Sequence, residues 1–241
     1  MKTIKTRKGN IKINPVLYVG NKQIDRAIAF ENFKTVSEIL SKTKINWGPV
    51  YGTLLGIVRD SDFIEWDKDI DLYVLEEEEE DFKDTLWEFI KADFKIIRYE
   101  RRGLYSIRRN GEYIDFYIFR KISPELRYDG GVGFIFDKYL TNTQKFNFKG
   151  TIINIPEEYD EFLTYHYGDW HTPVQWADFE LSNFKIFLVK MANLIKRNLP
   201  DWLYYYILKK HHTKSFEKFK QKCIKKGCPL DDNIKLSYKR R

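Results

Sequence analysis

The chain of 241 residues is 43% hydrophobic and carries a net charge of +7 at pH 7, so it can bury a sizeable core as one domain with elaborations. It has no apolar run long enough to span a bilayer, and its basic N-terminus lacks the apolar stretch of a signal peptide. Two cysteines, Cys223 and Cys228, argue against a secreted disulfide framework, so a cytoplasmic protein is expected.

The first part of the chain alternates helical and strand patterns. Apolar residues recur at helical spacing over 22–42 and again over 81–93, which predicts two amphipathic helices. Between these helices, apolar runs predict strands over 45–51 and about 69–75. A short helical turn from Leu54 is expected to connect the two strands.

The next part begins with strands and then becomes helical. Two apolar runs, 94–100 and 103–121, predict strands, and Asn110-Gly111 inside the second run predicts a tight hairpin. Beyond the hairpin the pattern predicts helices over 157–167, 178–197 and about 201–222. Pro156 suits the first position of the first of these helices, and Gly168 suits its end.

Two aspartates at the start of the second predicted strand carry the strongest chemical signal. Alternate side chains of a strand share a face, so Asp69 and Asp71 point the same way while Ile70 faces the core. Adjacent carboxylates repel each other unless a cation lies between them. Mg²⁺ or Mn²⁺ takes such oxygen ligands, so the pair indicates a metal site for phosphate chemistry. The alternative is a solvated acidic strand end, which is the expectation for the run 76–81.

Gly52 and Thr53 follow the first predicted strand and precede the acidic pair. Gly52 would let the backbone approach a ligand closely. The Thr53 hydroxyl and the free N–H groups of the next helical turn would suit an anion. A phosphate cradle followed by an acidic pair is typical of phosphotransfer, whereas Gly-Thr alone would be a weak signal.

Two ordered motifs of this sequence resemble the LicD/fukutin family. The segments GTLLGIVRD and FIEWDKDIDLYV are similar to the family's first signature, and IPEEYDEFLTYHYGDWHTPV is similar to its second. The resemblance implies a nucleotidyltransferase-type fold. It also implies an enzyme that moves a phospho-alcohol, such as phosphocholine or a polyol phosphate, from a CDP-linked donor to a cell-surface glycan or glycolipid acceptor.

Four positions depart from the family's pattern. Asp60 stands where His is common, and Asp62 stands where Gly is common. Glu65 replaces a Pro, and Lys68 replaces the middle Asp of the acidic motif. The metal pair survives all four changes, so the chemistry is expected to be retained while the identity of the substrate stays open.

Asp115 is the candidate for a third carboxylate. It lies between Ile114 and Phe116 in an apolar strand, where an ionised side chain is disfavoured unless it is paired or metal-bound. The resemblance implies a third acid on a strand beside the first two, which is the place of Asp115. Three carboxylates holding two metals would clamp the attacking and leaving oxygens of an in-line displacement. The alternatives are a solvent-facing side chain or an ion pair with Arg108.

Other residues near the motifs are candidates for binding substrate. Arg59 is the leading candidate for the donor's diphosphate, because a guanidinium binds phosphate oxygens bidentately. Lys68 and Arg108 are weaker candidates, since basic side chains in a basic chain are usually solvated. In the second motif Asp169 and Trp170 are expected to border the acceptor pocket, although an aromatic helix end is first of all structural.

The C-terminal stretch 209–241 is heavily basic. It could bind an anionic membrane surface, serve as a nucleic-acid patch or simply aid solubility, and the aromatic run before it slightly favours the membrane. No specific nucleic acid is expected, because no recognised binding motif is present. The spacing of Cys223, Cys228 and the pair His211-His212 is a poor match to structural zinc sites. His166 suits a packing role and an acid–base role equally.

Together the patterns predict an α+β protein with a nucleotidyltransferase-like mixed sheet flanked by helices. Residues 1–155 are expected to form the catalytic core with its N-terminal helix, and residues 156–241 a helical region packed on it. Two other classes stay open. One is a nucleotidyltransferase acting on RNA, protein or a small molecule, and the other is a non-catalytic binding protein. The intact carboxylates argue against a non-catalytic binding protein. For the enzyme, a peripheral position at the inner membrane face would suit a lipid-linked acceptor.

Overall fold

The computed structural model describes residues 2–20, 22–131, 133–175 and 182–227. Its helices are α1 (Arg26–Leu40), α2 (Tyr51–Arg59), α3 (Glu79–Lys91), α4 (Lys138–Thr141), α5 (Tyr159–Tyr167), α6 (Asn183–Asn198) and α7 (Asp201–Lys226). Its strands are β1 (Lys2–Thr6), β2 (Gly9–Ile13), β3 (Trp47–Pro49), β4 (Ile70–Leu75), β5 (Lys95–Glu100), β6 (Leu104–Arg109), β7 (Glu112–Lys121), β8 (Leu126–Tyr128), β9 (Phe134–Phe136), β10 (Thr143–Phe148) and β11 (Thr151–Pro156).

A mixed sheet of seven strands forms the centre of the fold. Its main path runs β3-β4-β7-β6-β5, with β8 added beside β7 and β9 beside β8. Strands β4 and β7 run parallel, and the other pairs described for this sheet are antiparallel. Hairpins β1–β2 and β10–β11 stand outside it. This mixed sheet with flanking helices confirms the predicted α+β class.

One face of the central sheet packs against α3. The ring of Phe116 in β7 lies 4.8 Å from that of Phe82 and 5.6 Å from that of Phe89, centroid to centroid. All three rings are completely buried. Because side chains alternate along a strand, the neighbouring Asp115 must point to the opposite face. Packing of the apolar face therefore directs the polar residues of β7 to the other side of the sheet.

The turn between β6 and β7 matches the sequence prediction. Asn110 and Gly111 have φ angles of 53° and 91°. A two-residue turn of this kind requires positive φ at both positions, which Asn and Gly tolerate best. The strands then pair in register from Arg109 opposite Glu112 to Leu104 opposite Tyr117. The predicted hairpin is confirmed.

The first predicted strand is shorter than expected. Strand β3 covers only Trp47–Pro49, and α2 begins at Tyr51 rather than at Leu54. Tyr51 itself has a positive φ of 56°, so the chain turns sharply as it enters the helix. Gly52 and Thr53 consequently lie in the first turn of a helix, not in a loop before it.

Six strands occur where the sequence patterns predicted none. The basic N-terminus forms the hairpin β1–β2, which buries Ile4, Ile11 and Ile13. Strands β8 to β11 occupy residues 126–156 between the predicted hairpin and the predicted helices. All six are six residues or shorter. Such short segments carry too few alternations for a periodic pattern to stand out.

The helix of the second motif begins later than predicted. Pro156 is the last residue of β11, and α5 starts at Tyr159, so Pro156 does not open the helix. The predicted end is confirmed, because Gly168 follows α5 with a φ of 78°. Glycine adopts this left-handed conformation without steric cost.

The acidic run 76–81 is only partly solvated. Glu79 is buried, and its carboxylate accepts hydrogen bonds from the Tyr105 hydroxyl at 3.1 Å and from Arg120 Nη1 at 3.2 Å. The prediction of a solvated face is therefore wrong at this residue. The cause is the packing of α3 on the sheet, which brings its first turn against side chains of β6 and β7.

The predicted C-terminal helices correspond to α6 and α7. Residues 178–181 of the first prediction and 228–241 of the basic tail lie outside the described residues. The later half of α7 buries Phe216, Phe219 and Cys223. Within the described part of the chain, no helix is both long and apolar enough to cross a membrane.

Candidate active site

Three carboxylates converge on the polar face of the central sheet. Asp71 in β4 lies directly beside Asp115 in the parallel strand β7. Asp69 immediately precedes β4. One oxygen from each of these side chains lies within 4.8 Å of the others. The structure therefore brings together the three aspartates that the sequence predicted for the metal site.

The electrostatics of this cluster are unfavourable without a cation. Burial raises the pKa of Asp71 well above its ordinary value, and the carboxylates of Asp69 and Asp115 raise it further. Burial also raises the pKa of Asp69 and raises that of Asp115 to about 7. Three acids that resist ionisation in one small volume are the surroundings in which a bound cation would be most stabilising.

The donor set fits a divalent metal ion. Asp71 Oδ1 and Asp115 Oδ1 are buried, and no described residue forms a hydrogen bond with either atom. A buried carboxylate oxygen without a partner is costly. Hard divalent cations such as Mg²⁺ prefer carboxylate oxygens and retain positions for further ligands. The orphaned oxygens therefore identify the atoms that would hold the metal.

Arg98 is the guanidinium beside Asp115, and the sequence analysis did not identify it. Arg98 Nη2 forms a short ion pair with Asp115 Oδ2, and its Nε donates to Ser106 Oγ at 2.7 Å. Asp115 therefore pairs with Arg98 and not with Arg108, the partner in one of the alternatives that the sequence left open. Arg108 lies opposite Tyr113 and Lys95 in register.

A β-bulge explains why Arg98 was missed. The register of β5 against β6 shifts between Ile96 and Arg98, so that Arg98 lies opposite Ser106. Ser106 in turn lies opposite Asp115. Regular alternation through Ile97 would place Arg98 opposite Tyr105 on the apolar face, and the register shift turns it to the polar face instead. An arginine inside the apolar run FKIIRYE was the available sequence signal.

Two tyrosines of β7 lie against the carboxylates. The Tyr113 hydroxyl hydrogen-bonds to Asp69, and the Tyr117 hydroxyl lies beside Asp71. Burial raises the pKa of both phenols, and the nearby carboxylates raise it further. Tyr167, at the end of α5 in the second motif, is 41% exposed, and the pKa of its phenol is raised by partial burial and then by the charges of Asp71 and Asp67.

Gly52 and Thr53 lie in contact with the aspartate-containing segment. A Cβ atom at Gly52 would lie 2.6 Å from Asp67 Oδ2, so the glycine makes room for that carboxylate. The buried Thr53 hydroxyl accepts a hydrogen bond from the backbone N–H of Asp71 at 2.8 Å. Both residues thus hold the acidic segment in place, whereas the sequence predicted that they would face an anion.

The Arg59 guanidinium forms an ion pair with the neighbouring Asp60. Its Nε and Nη2 donate to the two carboxylate oxygens of Asp60, each at 2.7 Å. Its Nη1 donates to the carbonyl of Trp170 at 3.5 Å. Asp60 is one of the departures from the family's pattern, so this departure supplies the partner that occupies Arg59.

The remaining predicted site residues lie in different surroundings. Lys68 is half-buried, and its charge lowers the pKa of Asp69 against the dominant effect of burial. Trp170 is buried and stacks on His171 with ring centroids 3.9 Å apart. Asp169 is exposed and accepts a hydrogen bond from the Thr172 hydroxyl at 2.9 Å. Of these residues, Lys68 has a charge contact with the acidic cluster.

A second group of polar residues, formed by Tyr51 of α2 and Asp129, lies next to the site. The Tyr51 hydroxyl donates to Asp129 Oδ2 at 2.7 Å, while Asp129 Oδ1 accepts from the N–H groups of Gly131 and Gly133. The Tyr51 ring packs edge-on against Tyr117, 5.6 Å away. A Cβ at Gly133 would lie 2.2 Å from the Tyr51 hydroxyl. The glycine-rich segment after Asp129 was the signal that sequence analysis could have used.

The histidine and cysteine candidates are packing residues. Burial lowers the pKa of His166 to about 3, so its ring is neutral at physiological pH. Buried Cys223 lies 3.4 Å from the Tyr165 hydroxyl, and Cys228 lies outside the described residues. Within the described ranges, the acidic cluster is the one group of three or more residues arranged to hold a metal.

Comparison with known proteins assigns the family. Fold and site define a nucleotidyltransferase-type domain, and residues 45–167 match the family model described as LicD/FKTN/FKRP, nucleotidyltransferase domain. The chain belongs to this LicD family, and it is a phosphotransferase-type member of it. No curated protein shows significant similarity to the chain.

Solved structures with related folds are distant. The lincomycin-bound lincosamide antibiotic adenylyltransferase LnuA is 11% identical, with a TM-score of 0.40, covering 68% of this chain and 94% of that one. The antibiotic-resistance factor ANT(2'')-Ia is 13% identical, with a TM-score of 0.42, covering 78% of this chain and 99% of that one. Likeness at this level does not transfer the activity or substrates of those proteins to this chain.

Proposed function

We propose that this protein transfers a phospho-alcohol group, such as phosphocholine or a polyol phosphate, from a CDP-linked donor to a glycan or lipid-linked glycan. The observation that carries the proposal is the convergence of Asp69, Asp71 and Asp115, whose oxygens lie within 4.8 Å of one another in a LicD-family domain. A non-catalytic binding protein would have no need to keep three mutually repelling carboxylates together.

The proposed reaction is an in-line displacement at phosphorus. An acceptor hydroxyl oxygen bonds to the phosphorus that carries the alcohol, and the bond from that phosphorus to the bridging oxygen of the diphosphate breaks. CMP leaves with the bridging oxygen, and the hydroxyl proton is released. Positioning and neutralisation of phosphate charge supply most of the catalysis in such reactions.

The three aspartates are the proposed ligands for Mg²⁺ or Mn²⁺. When bound, the cation would neutralise charge on the phosphate oxygens. Tyr113 holds the Asp69 carboxylate through its hydrogen bond. Arg98 holds Asp115 and keeps more of it ionised, because its positive charge opposes the effect of burial on the pKa.

Binding of the donor and the acceptor is proposed for residues around this cluster. Lys68, next to Asp69 in the chain, is proposed to contact the donor's diphosphate. Arg59 would contact the donor after its release from Asp60. Gly52 and Thr53 would contribute to donor binding by holding the acidic segment in place. Asp169 and Trp170 remain candidates for the acceptor side, and Arg108 remains a candidate for phosphate. A cytoplasmic location with access to lipid-linked acceptors is part of the proposal.

The test is a product assay with purified protein. Incubation with Mg²⁺, a panel of CDP-alcohols and a glycan acceptor should release CMP from one donor, and EDTA should abolish the release. The Asp115→Asn variant should release none, whereas Asp93→Asn, an exposed aspartate, should match wild type. Release of pyrophosphate from a nucleoside triphosphate would instead indicate nucleotidyl transfer. No product from any donor would contradict both enzymatic functions.

A further inference from the structure

Helix α6 points most of its large apolar side chains away from the protein. Six large apolar residues recur at spacings of three and four, which places them on one face of the helix. We call this face the outer stripe: Phe184, Phe187, Leu188, Met191, Leu194 and Ile195. Each is more than a third exposed, and Phe184 is 69% exposed. Large apolar residues grouped on an exposed face mark an interaction surface rather than ordinary solvent exposure.

The opposite face of α6 is anchored to the protein. Asn193 Nδ2 donates to the carbonyl of Leu17 at 2.9 Å. At the end of the helix, Arg101 donates to the carbonyls of Lys196 and Leu199 at 2.8 and 2.9 Å. The half-buried residues of α6 are on this same face and include Ile186 and Val189 beside Asn193. The outer stripe faces outward because the face that carries these residues is the one held against the protein.

The exposed surface continues into the first turns of α7. Trp202 is 72% exposed, and Tyr205 and Tyr206 are about half exposed. The Arg101 guanidinium stacks on the neighbouring Tyr204, 4.1 Å from its ring centre, which joins this end of α7 to the same anchor. Trp and Tyr have an apolar body with a polar tip, and they favour the boundary between lipid and water.

Charge around the outer stripe is of one sign. Helix α6 contains Lys185, Lys190, Lys196 and Arg197 and has no acidic residue. The acid that opens α7, Asp201, is paired with Arg101 at 2.5 Å. An exposed apolar centre with basic flanks is complementary to anionic lipid headgroups above an acyl layer, and it is a poor match to a cationic or purely polar partner.

We propose that the outer stripe and the exposed aromatic residues of α7 lie in the interface of an anionic phospholipid membrane. The apolar side chains enter the boundary between headgroups and acyl chains, and the flanking lysines contact the headgroups. The proposal does not depend on the transferase function. It also differs from anchoring by the basic tail, because the later part of α7 packs Phe216 and Phe219 into the core.

The position of this surface suits an enzyme that acts on lipid-linked molecules. Arg101, which holds the corner between α6 and α7, lies three residues from Arg98 of the acidic site. Both residues belong to the β5 edge of the central sheet or the turn that follows it. The surface proposed to contact the membrane is therefore anchored to the same edge of the sheet that supplies Arg98.

The test is flotation of the full chain with vesicles. Wild type should bind phosphatidylcholine vesicles containing phosphatidylglycerol, and bind neutral phosphatidylcholine vesicles much less. Combined Phe184→Asn, Phe187→Asn and Met191→Asn substitutions should weaken binding at least about tenfold. The matched control is Ile152→Asn, since Ile152 and Phe187 are each 56% exposed; it should bind as wild type does. Unchanged melting of the triple variant shows that folding is retained.

Three further outcomes would overturn the proposal. A chain ended after Gly227 should keep its vesicle binding, and complete loss of binding would assign the attachment to residues 228–241. Size measurement without lipid should show no self-association that the triple variant abolishes. If such self-association occurs, the stripe is a contact between two copies of the chain. Failure of wild type to bind either vesicle would also contradict the membrane assignment.

Discussion

The carboxylate of Asp115 lies between opposing influences. Burial raises its pKa, the Arg98 guanidinium lowers it and Asp69 raises it, and together these effects bring the pKa to about 7. The metal-free site therefore holds a proton near neutral pH, and cation binding would displace it. Since Asp71 shifts in the same direction, affinity for the metal should rise as the pH increases through about 7.

We predict a pH dependence of stability from this residue. Between its ordinary pKa of about 4 and its folded pKa of about 7, the folded state binds more of this proton than the unfolded state. Stability from Asp115 is thus present at low pH and is lost as the pH rises. In EDTA, wild type should lose stability relative to Asp115→Asn as the pH rises from about 4 to about 7.

The comparison with Asp115→Asn isolates this effect. Other carboxylates, such as Asp62, have lowered pKa values and act in the opposite direction. Melting temperatures of both proteins in the same buffers remove that common background. If the difference in melting temperature between the two proteins stays constant over this pH range, Asp115 is already ionised in the folded protein at acidic pH.

Asp69→Asn tests the metal site directly. The substitution keeps the size of the side chain and removes one charge and one strong ligand. Turnover should fall by roughly 10²–10³-fold or more, the cost of losing a single electrostatic stabiliser in an active site. The metal-free variant should melt at the same temperature or higher, because the repulsion with Asp71 is relieved.

Ligand-induced stabilisation distinguishes this prediction from an ordinary acidic strand end. Mg²⁺ with nucleotide should raise the melting temperature of wild type much more than that of Asp69→Asn. The exposed Asp93→Asn variant is the control and should respond as wild type does. Full activity in Asp69→Asn would refute the proposed mechanism.

At the scale of elements, α2 has two glycines with different neighbours. A Cβ at Gly52 would meet the Asp67 carboxylate at 2.6 Å, which is the end of a side chain. A Cβ at Gly56 would meet the carbonyl oxygen of Asp62 at 2.7 Å and the N–H of Ile64 at 2.9 Å, which are backbone atoms. The same substitution should therefore have different consequences at the two positions.

Gly52→Ala should impair the site more than the fold. Alanine favours the helix by about 1 kcal/mol over glycine, and the Asp67 side chain can move aside. The melting temperature should stay equal or rise, while turnover and metal-induced stabilisation decrease. Gly56→Ala should lower the melting temperature, because backbone atoms cannot give way as easily. Equal losses of stability in both variants would contradict this assignment.

At the scale of the whole molecule, α7 ties the C-terminal region to the core. The ring of Phe219 lies 5.3 Å from Phe134, 5.9 Å from Phe136 and 6.0 Å from Tyr165, centroid to centroid. We propose that residues 1–155 and 156–241 form one cooperative unit, because these contacts join α7 to β9 and α5.

Phe219→Ala should therefore destabilise the whole protein. Removing a buried phenylalanine ring costs about 3–5 kcal/mol, and the loss should appear in a single unfolding transition. The exposed Lys218→Ala variant should stay within about 0.5 kcal/mol of wild type. Denaturant unfolding followed by fluorescence and by circular dichroism measures both. Two separate transitions, with only one shifted, would show that the regions unfold independently.

Local sequence patterns were sufficient to identify the family, the acidic pair and the main periodic elements. Asp69, Asp71 and Asp115 were identified because carboxylates in apolar strands need a chemical reason to be there. The hairpin at Asn110-Gly111 followed from local conformational preference, and helices α1 and α3 from apolar spacing. Each of these properties depends on residues close together in the chain, so one sequence contains the information.

Which groups meet at the site depends on how distant segments of the chain pack together. Arg98 reaches Asp115 through a bulge across two strand pairings, and the Tyr51 hydroxyl bonds to Asp129, 78 residues further along the chain. The engagement of Arg59 by Asp60 and the outward face of α6 likewise depend on the orientation of whole elements. Register shifts and helix rotations are set by packing between distant segments, and local sequence patterns do not encode them.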